Sequence, residues 1–474
     1  MCYIYFKVWL KGEFFLVKVS VNGTILYAKK GALLSDVLMK SAVRADHPCG
    51  GKGICKKCLV TINGKKELSC QYRVMSDIDV RLDVGEVESH IGSDKKRELT
   101  ENMCYMLDLG TTTLALALVS VDNKSIVDVK CCTNSQRAFG ADVISRIEYC
   151  NKNNVALLQK KVINDVNSLI EGFGIQKALK LYVAGNATML HIFYGVSPSS
   201  IGVAPYTPVF LDSRITDGKA LGLERVLQVQ ALPSIHSFAG ADIVAGINLV
   251  NDNAGEKYNL LVDLGTNAEI ALFSRDKIFT TSAAAGPCFE GVNIACGMSA
   301  TDGAICEFDG GFKTINNKPP QGICGTGLVD VIATLLQNNI IDETGCMACE
   351  QFNITEDVFV NQSDVREFQL AKSAVFSGIM ALIKKAGIDF DSVENLYISG
   401  GFSAKINVIN AVKTGLLPKA LKEKCKVLNN SCLMGGVKYI CNNDNLDDII
   451  KKAEYCDLSL DGNFTDLFMK NMMF

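Results

Sequence analysis

The sequence is poor in tryptophan, proline and histidine, in net charge and in long apolar runs. Its 474 residues include one tryptophan, nine prolines and four histidines, and 48 basic against 51 acidic side chains give a net charge of −3. This balance argues against a general nucleic-acid coat protein. Lys7, Lys11 and Glu13 interrupt the apolar N-terminus before the roughly 20 residues that a membrane span needs, and they also spoil a signal peptide. We therefore expect a cytoplasmic protein that binds neither nucleic acid nor a membrane.

The chain is rich in apolar residues and in cysteine. Hydrophobic residues make up 48% of it, and at about 150 residues per domain the length predicts about three packed domains. Disorder is excluded by the same apolar content. The 19 cysteines are an odd number, and in a reducing compartment metal ligation or buried thiols explain them better than disulfides do.

Four cysteines stand close together in a glycine-rich stretch. Their spacing is C-x5-C-x2-C-x11-C, formed by Cys49, Cys55, Cys58 and Cys70. Zinc is one candidate, although structural zinc sites usually use two C-x2-C pairs and only one is present. A [2Fe–2S] cluster is the other, since the plant-type signature is C-x4-C-x2-C with a distant fourth cysteine. The glycines between the first two cysteines favour the cluster, because a loop around inorganic sulfides needs bare, flexible backbone. Both metals stay open at this point.

The residues around these cysteines predict a small β-rich domain. Alternation indicates strands at 15–21 and 24–27 around an Asn22-Gly23 turn, a helix at 35–43 and a further strand at 59–62. Two strands, a helix and a cysteine-rich glycine loop resemble a β-grasp ferredoxin, so we expect such a domain at residues 1–85. The resemblance implies that the four cysteines hold a [2Fe–2S] cluster. Residues 86–102 are expected to be a polar linker.

Two similar segments occur about 155 residues apart. Each is an apolar strand, an aspartate, a glycine–threonine turn and a second apolar strand, which predicts two related lobes whose hairpin turns face one cleft. Glycine lets backbone amides approach a phosphate, the hydroxyls add donors, and an aspartate suits a hydrated Mg²⁺. The candidate residues are Asp108, Gly110, Thr111 and Thr112 in the first segment, and Asp263, Gly265, Thr266 and Asn267 in the second.

A third element follows in the apolar segment that ends at Gly400 and Gly401. A strand ending in two glycines lets adenine and ribose lie against bare backbone. No Gly-x4-Gly-Lys-Ser/Thr pattern is present, so a P-loop protein is excluded. The three elements resemble, in order and separation, those of the acetate and sugar kinase, heat-shock ATPase and actin superfamily. The expected fold is a two-lobed actin-like α/β ATPase, with lobe I at 103–257, lobe II at 258–441 and a C-terminal helical segment at 442–474.

Longer stretches resemble one branch of that superfamily, the reductive activators of corrinoid-dependent methyltransferases. They are QRAFGADVISRI, AGNATMLHIFYG, GVAPYTP, AGADIVAGI, AAAGPCFEGVNIACGMSATDGAI, GICGTGLVD and the terminal FTDLFMKNMMF. The resemblance implies an ATP-hydrolysing enzyme that passes one electron from a [2Fe–2S] cluster to Co(II) of a corrinoid protein, giving Co(I). It also implies ATP and Mg²⁺ as cofactors, an upstream low-potential electron donor, and leaves a homodimer open.

Further carboxylates are candidates for the chemistry at the phosphates. Asp142 and Asp242 both lie in Gly-Ala-Asp runs before apolar helices, and Asp142 is taken as a third catalytic carboxylate beside Asp108 and Asp263. It would orient the attacking water or the hydrated Mg²⁺, while the competing interpretation is a helix N-cap. Glu269 on a strand and Glu290 in a glycine-rich turn are either nucleotide contacts or structural carboxylates.

Three alternative functions remain from the sequence. They are ATP-driven electron transfer to another acceptor protein, a small-molecule kinase with a metal-binding domain, and a nucleotide-binding scaffold without turnover. The metal held by the four cysteines separates the electron-transfer functions from the other two.

Overall fold

A computed structural model describes residues 16–39, 58–81, 100–253, 255–401 and 405–474. The chain divides into two compact units, Met1–Val84 and Gly85–Phe474. No helix within the described ranges has the length and the apolar composition needed to cross a bilayer.

The described part of the first unit is a five-stranded sheet with a short helix. The strand order is β2-β1-β5-β3-β4, in which β1 pairs antiparallel with β2 and parallel with β5. The elements are β1 (Leu16–Val21), β2 (Thr24–Lys29), α1 (Leu34–Met39), β3 (Leu59–Ile62), β4 (Lys65–Leu68) and β5 (Ile78–Arg81).

Alternating side chains and an Asn-Gly turn build the first hairpin of this sheet. Val17, Val19 and Val21 face the core while the residues between them face outward. Asn22 and Gly23 both have positive φ, 47° and 86°, as the tight hairpin turn requires. The predicted strands and turn are therefore confirmed. The helix begins one residue before the prediction, and its predicted last four residues lie outside the described residues.

The second unit contains two six-stranded sheets. The first, in the order β10-β11-β9-β6-β7-β8, consists of β6 (Met103–Leu109), β7 (Thr113–Ser120), β8 (Ser125–Thr133), β9 (Leu179–Ala184), β10 (Arg214–Asp217) and β11 (Val226–Ala231). The second, in the order β21-β20-β12-β13-β14-β22, consists of β12 (Tyr258–Leu264), β13 (Ala268–Phe273), β14 (Ile278–Ala283), β20 (Val393–Ser399), β21 (Cys425–Val427) and β22 (Ala453–Tyr455).

The two sheets repeat one topology. In each, three consecutive antiparallel strands (β6-β7-β8 and β12-β13-β14) are followed by a later strand parallel to the first (β9 and β20). Asp108 is paired with Ala184 on β9, and Asp263 is paired with Ser399 on β20, so the two aspartates occupy equivalent places. The predicted duplication of lobes is thus present in the fold.

Helices and smaller sheets surround these two sheets. Small sheets are formed by β15 (Ala304–Phe308), β16 (Phe312–Thr314) and β17 (Gly322–Ile323), and by β18 (Gln351–Asn353) and β19 (Phe359–Asn361). The helices are α2 (Val143–Asn153), α3 (Ala156–Gly172), α4 (Ala187–Phe193), α5 (Ala241–Val250), α6 (Gly325–Gln337), α7 (Gln362–Ala386), α8 (Val408–Lys413), α9 (Ser431–Asn442), α10 (Asp447–Lys452) and α11 (Phe464–Lys470).

Helices α5 and α9 join the two sheets. Asn248 on α5 donates to the carbonyl of Gly435 on α9 at 3.2 Å, and Lys438 on α9 donates to the carbonyl of Asn248 at 2.7 Å. One apolar core contains residues of β6, β12 and both helices, including Leu107, Leu261 and Leu433. This continuous packing fixes the place where the two hairpin turns meet.

Candidate functional site

The two predicted turns open onto one cavity of about 340 Å³ between the two sheets of the second unit. The β6–β7 turn is called turn 1 (108–113) and the β12–β13 turn is called turn 2 (263–267). All ten residues proposed for phosphate, Mg²⁺ and nucleoside line this cavity: Asp108, Gly110, Thr111, Thr112, Asp263, Gly265, Thr266, Asn267, Gly400 and Gly401.

Side chains from three other segments hold turn 1. Asn134 donates to the carbonyl of Gly110 at 2.9 Å, and Asn186 donates to the hydroxyl of Thr111 at 3.1 Å. The fully buried guanidinium of Arg146 donates to the carbonyl of Thr111 at 2.6 Å. Burial lowers the pKa of Arg146 to about 9, so the group stays charged at neutral pH. These contacts fix the backbone of turn 1 at the cavity wall.

Turn 2 is closed by its own backbone and by a carboxylate. The amide of Gly265 donates to the carbonyl of Asn267 at 2.9 Å. The hydroxyl of Thr266 donates to Oε1 of Glu290 at 2.8 Å, and the hydroxyl of Thr112 in turn 1 donates to Oε2 of the same carboxylate at 2.7 Å. Glu290 therefore links the two turns across the cavity.

Besides Glu290, four carboxylates line the same cavity, those of Asp108, Asp242, Asp263 and Glu269. Burial raises the pKa of Asp108 to about 6 and that of Asp242 to about 7, and the neighbouring carboxylates add to both shifts. The pKa values of Asp263 and Glu269 are raised by burial as well. A cation would relieve this mutual repulsion.

The aspartates of the two turns are already hydrogen-bonded by helix α9 and the residue before it. Asn430 donates to Asp108 at 2.8 Å, and Ser431 donates to Asp263 at 3.0 Å. Within the described ranges, no three histidine, cysteine or acidic side chains are placed so that they could hold a metal ion. A Mg²⁺ ion bound here would accordingly keep several of its waters, as Mg²⁺ commonly does in phosphate sites.

The structure does not bring Asp142 to the cavity. Its carboxylate accepts from the amide of Ser145 at 2.7 Å and from the Ser145 hydroxyl at 2.9 Å, which makes Asp142 the N-cap of α2. Of the two Gly-Ala-Asp runs, it is the second that places its carboxylate, Asp242, at the cavity. The N-cap interpretation of Asp142 is therefore the one that its contacts support.

Gly400 and Gly401 follow the end of β20 beside turn 2. Gly400 has φ +113°, and a Cβ there would lie 2.0 Å from the carbonyl oxygen of Leu264. Only glycine fits this place. A Cβ on Gly401 would meet no atom of the described residues within 4 Å, which leaves room for a nucleoside against this backbone as far as the structure describes it.

Two of the four predicted cluster ligands can be located. Cys58 and Cys70, in the first unit, are both buried, and their sulfur atoms lie 3.1 Å apart. Burial raises the pKa of the Cys58 thiol to about 11. Cys49 and Cys55 lie outside the described residues. The two buried thiols converge without a disulfide, and as ligands of one tetrahedral metal ion their sulfur atoms would move apart to about 3.8 Å, the separation that two bonds of about 2.3 Å set.

Several contacts of the site were not predicted from the sequence. Arg146 and Asn186 lie inside stretches that carried the family resemblance, but nothing local assigned them to turn 1. Asn430 reaches Asp108 across 322 residues of sequence, and Thr112 reaches Glu290 across 178. Among the partner residues Arg146, Asn186, Asn430 and Glu290, the sequence singles out Glu290 alone, through its glycine-rich turn.

The duplicated lobes, the paired turns and the cavity between them define an actin-like ATPase fold. Two family models match consecutive parts of the chain: the RACo middle region matches residues 103–251, and the C-terminal domain of RACo, the ASKHA domain, matches residues 257–474. The chain belongs to the RACo family. The resemblance to reductive activators of corrinoid proteins is confirmed at the level of this family.

Individual relatives agree with this assignment. The corrinoid activation enzyme RamQ of Eubacterium limosum is 27% identical, over 94% of this chain and 96% of that protein. A Co(II) methylated amine-specific corrinoid protein reductase of Methanosarcina barkeri is 25% identical, over 73% of this chain and 72% of that protein. Among solved structures, a reductive activator for a corrinoid, iron–sulfur protein superposes with a TM-score of 0.70 at 23% identity, covering 96% of this chain and 98% of that one. This last likeness concerns the fold.

Proposed function

We propose that the protein is an ATP-dependent reductive activator of a corrinoid protein. In the reaction, the activator loses one electron and Co(II) of the partner gains it, giving Co(I), and a low-potential donor then restores the activator. The relatives named above support the substrate class. The observation that carries the proposal is the occurrence, in one chain, of a cavity with two phosphate-type turns and of two buried thiols that converge.

The residues of the cavity have separate tasks in this proposal. The amides and hydroxyls of turn 1 and turn 2 bind the phosphates, and the backbone at Gly400 and Gly401 takes the nucleoside. Asp108 and Asp263 hold Mg²⁺ through its waters. Asp242, rather than Asp142, is assigned to orient the attacking water, because its carboxylate lines the cavity whereas that of Asp142 caps a helix.

The proposed redox centre lies in a β-grasp ferredoxin domain at residues 1–85, joined by the linker 86–102 to the two ATPase lobes. Cys49, Cys55, Cys58 and Cys70 are assigned as its ligands, and the pair of buried thiols at Cys58 and Cys70 fits that assignment. A bound [2Fe–2S] cluster would supply a single low-potential electron. Every cysteine in the described ranges is a free thiol, which suits the reducing cytoplasm that we propose as its location.

The identity of the metal is the first test. We expect about two irons and two acid-labile sulfides per chain in anaerobically purified protein, because one [2Fe–2S] cluster needs four thiolates. Reduction with dithionite should produce a spin-half EPR signal. Zinc in place of iron, with no reducible cluster after reconstitution, would contradict electron transfer and leave an ATP-binding kinase or scaffold.

Two substitutions should separate the redox centre from the nucleotide site. Cys58→Ser should abolish the iron–sulfur spectrum and leave the affinity for Mg·ATP nearly intact, whereas Asp108→Ala should keep the spectrum and weaken Mg·ATP binding. The matched control is Cys346→Ser, since Cys346 is exposed and lies outside the cavity. Full cobalt reduction by the Cys58→Ser protein would show that the electron takes another path.

A further inference from the structure

The carboxylate of Glu290 occupies the space between the two turns. Its two oxygens accept one hydrogen bond each, from the Thr266 hydroxyl at 2.8 Å and from the Thr112 hydroxyl at 2.7 Å. These hydroxyls belong to the two segments that the proposed function assigns to the phosphates. A carboxylate with two oxygens held by two donors resembles one face of a phosphate in charge and in acceptor geometry.

The segment that carries Glu290 is anchored in the core and is bounded by two glycines with positive φ. Glu290 is the last residue of a short helical turn, Pro287–Glu290, between Gly286 at φ 76° and Gly291 at φ 73°. The preceding Phe289 is buried and lies edge-on to Phe368 of α7 at 5.9 Å. The backbone is thus fixed by the core, while the Glu290 side chain, half-buried at the cavity wall, can change its rotamer without moving that core.

The hydroxyls of Thr112 and Thr266 each have one proton to donate. If they donate to a phosphate oxygen, they cannot at the same time donate to Glu290, and two negative groups in one partly buried site repel each other. We propose that Glu290 is an internal competitor of the β- and γ-phosphates, which holds the two turns together without nucleotide and is displaced when the phosphates bind. This positioning role rests on the proposed function, because it requires the nucleotide to bind in this cavity.

The competition makes a specific prediction about nucleotide affinity. Removing the carboxylate should tighten the binding of ligands that carry a β-phosphate, because they no longer have to displace it. AMP lacks that phosphate, so its affinity should not change. We expect Glu290→Ala to tighten Mg·ADP and Mg·AMPPNP at least tenfold, which corresponds to about 1.4 kcal/mol, and to leave AMP within twofold. Glu290→Gln should tighten the same ligands less, because its amide oxygen still accepts one hydroxyl.

Titration calorimetry of the full chain with Mg·ADP, Mg·AMPPNP and AMP measures this directly. Glu367→Gln is the control, since Glu367 lies on α7, contacts Asn293 at 3.3 Å and does not line the cavity. Thermal unfolding of each variant verifies that it is folded. If Glu290→Ala does not fold, Glu290→Gln provides the test. The competition is wrong if Glu290→Ala binds Mg·ADP more weakly than the unsubstituted protein, or if it binds all three ligands with the affinities of the unsubstituted protein. It is also wrong if the affinity for AMP changes in parallel with that for Mg·ADP.

The same titration distinguishes this inference from the proposed function. If the unsubstituted protein binds neither Mg·ADP nor Mg·AMPPNP, the nucleotide site itself is wrong and the proposed function fails with it. If the unsubstituted protein binds both and the Glu290 variants bind them equally well, the competition alone is wrong.

Discussion

Turn 1 and turn 2 have nearly the same sequence but very different support. Both turns share Glu290, which accepts from a threonine of each, and both have a side-chain donor on their aspartate. Beyond these shared contacts, turn 1 is held by the side chains of Asn134, Asn186 and Arg146, whereas turn 2 has one backbone bond within itself. Turn 1 is therefore the more firmly supported half of the site, and turn 2 is the less supported half.

The glycines of the two turns also differ in how closely the surrounding backbone approaches them, and the approach is closer in turn 1. A Cβ on Gly110 would lie 2.4 Å from the backbone oxygen of Thr113, whereas a Cβ on Gly265 would approach Asn267 no closer than 3.4 Å. Turn 1 is therefore packed against its own backbone, and turn 2 has room. The two turns thus have similar phosphate-binding residues, but their backbones are packed to different degrees.

The two least exposed cations among the described residues of the second unit, Arg146 at 0% and Lys372 at 2%, also differ in their hydrogen bonding. Arg146 in lobe I makes four hydrogen bonds, to Gly140, Gln136, Met189 and Thr111. Lys372 in lobe II is 2% exposed, donates to the carbonyl of Met473 and lies 5.0 Å from the Phe474 ring. The Arg146 guanidinium, with its several acceptors, therefore supports turn 1. The Lys372 ammonium instead holds the C-terminal segment at Met473 and Phe474.

The largest effect is expected from removing the cation behind turn 1. Arg146→Met should lower the free energy of unfolding by about 3 kcal/mol, because buried carbonyls lose their donor. It should also weaken Mg·ATP binding, since turn 1 is no longer fixed. Denaturant unfolding and nucleotide titration measure both, with Lys152→Met at the exposed end of α2 as the control. If Arg146→Met were as stable as the Lys152→Met control, Arg146 would not be the residue that fixes turn 1.

The next effect compares the glycines of the two turns. Gly110→Ala should destabilise the protein by about 2 kcal/mol more than Gly265→Ala, because the added methyl group would lie 2.4 Å from a backbone oxygen in turn 1 and at an ordinary contact distance of 3.4 Å in turn 2. The difference should appear as a lower melting temperature for Gly110→Ala. Equal melting temperatures would mean that the two turns are equally adaptable, contrary to the distinction drawn here.

The smallest effect concerns the buried lysine and pH. Burial lowers the pKa of Lys372 to about 8 from 10.5, so between these pH values the unfolded chain binds more protons than the folded one. Stability contributed by this group must then rise with pH across that window. Relative to Lys372→Met, we expect the unsubstituted protein to gain on the order of 1 kcal/mol between pH 7.5 and 9.5. Denaturant unfolding at both pH values measures the gain, and parallel pH profiles would contradict it.

The local parts of the site could be predicted from the sequence, and its long-range contacts could not. The turns followed from aspartate, glycine and hydroxyl residues between apolar strands, and the first hairpin followed from Asn22-Gly23, because these structures depend on neighbours in sequence. Asp142 and Asp242 stand in identical Gly-Ala-Asp runs, so only the fold separates the helix cap from the residue at the cavity. The partners of Asp108 and Thr112 required the packing of distant segments.

Reduction of the partner's cobalt can be followed in the Co(II) EPR signal of a corrinoid protein mixed with the reduced activator. We expect the signal to disappear when Mg·ATP is added, and to persist without nucleotide or with the Cys58→Ser protein. Persistence of the Co(II) signal with Mg·ATP, while an iron–sulfur cluster is present and reduced, would contradict the proposal that this protein reduces a corrinoid cobalt.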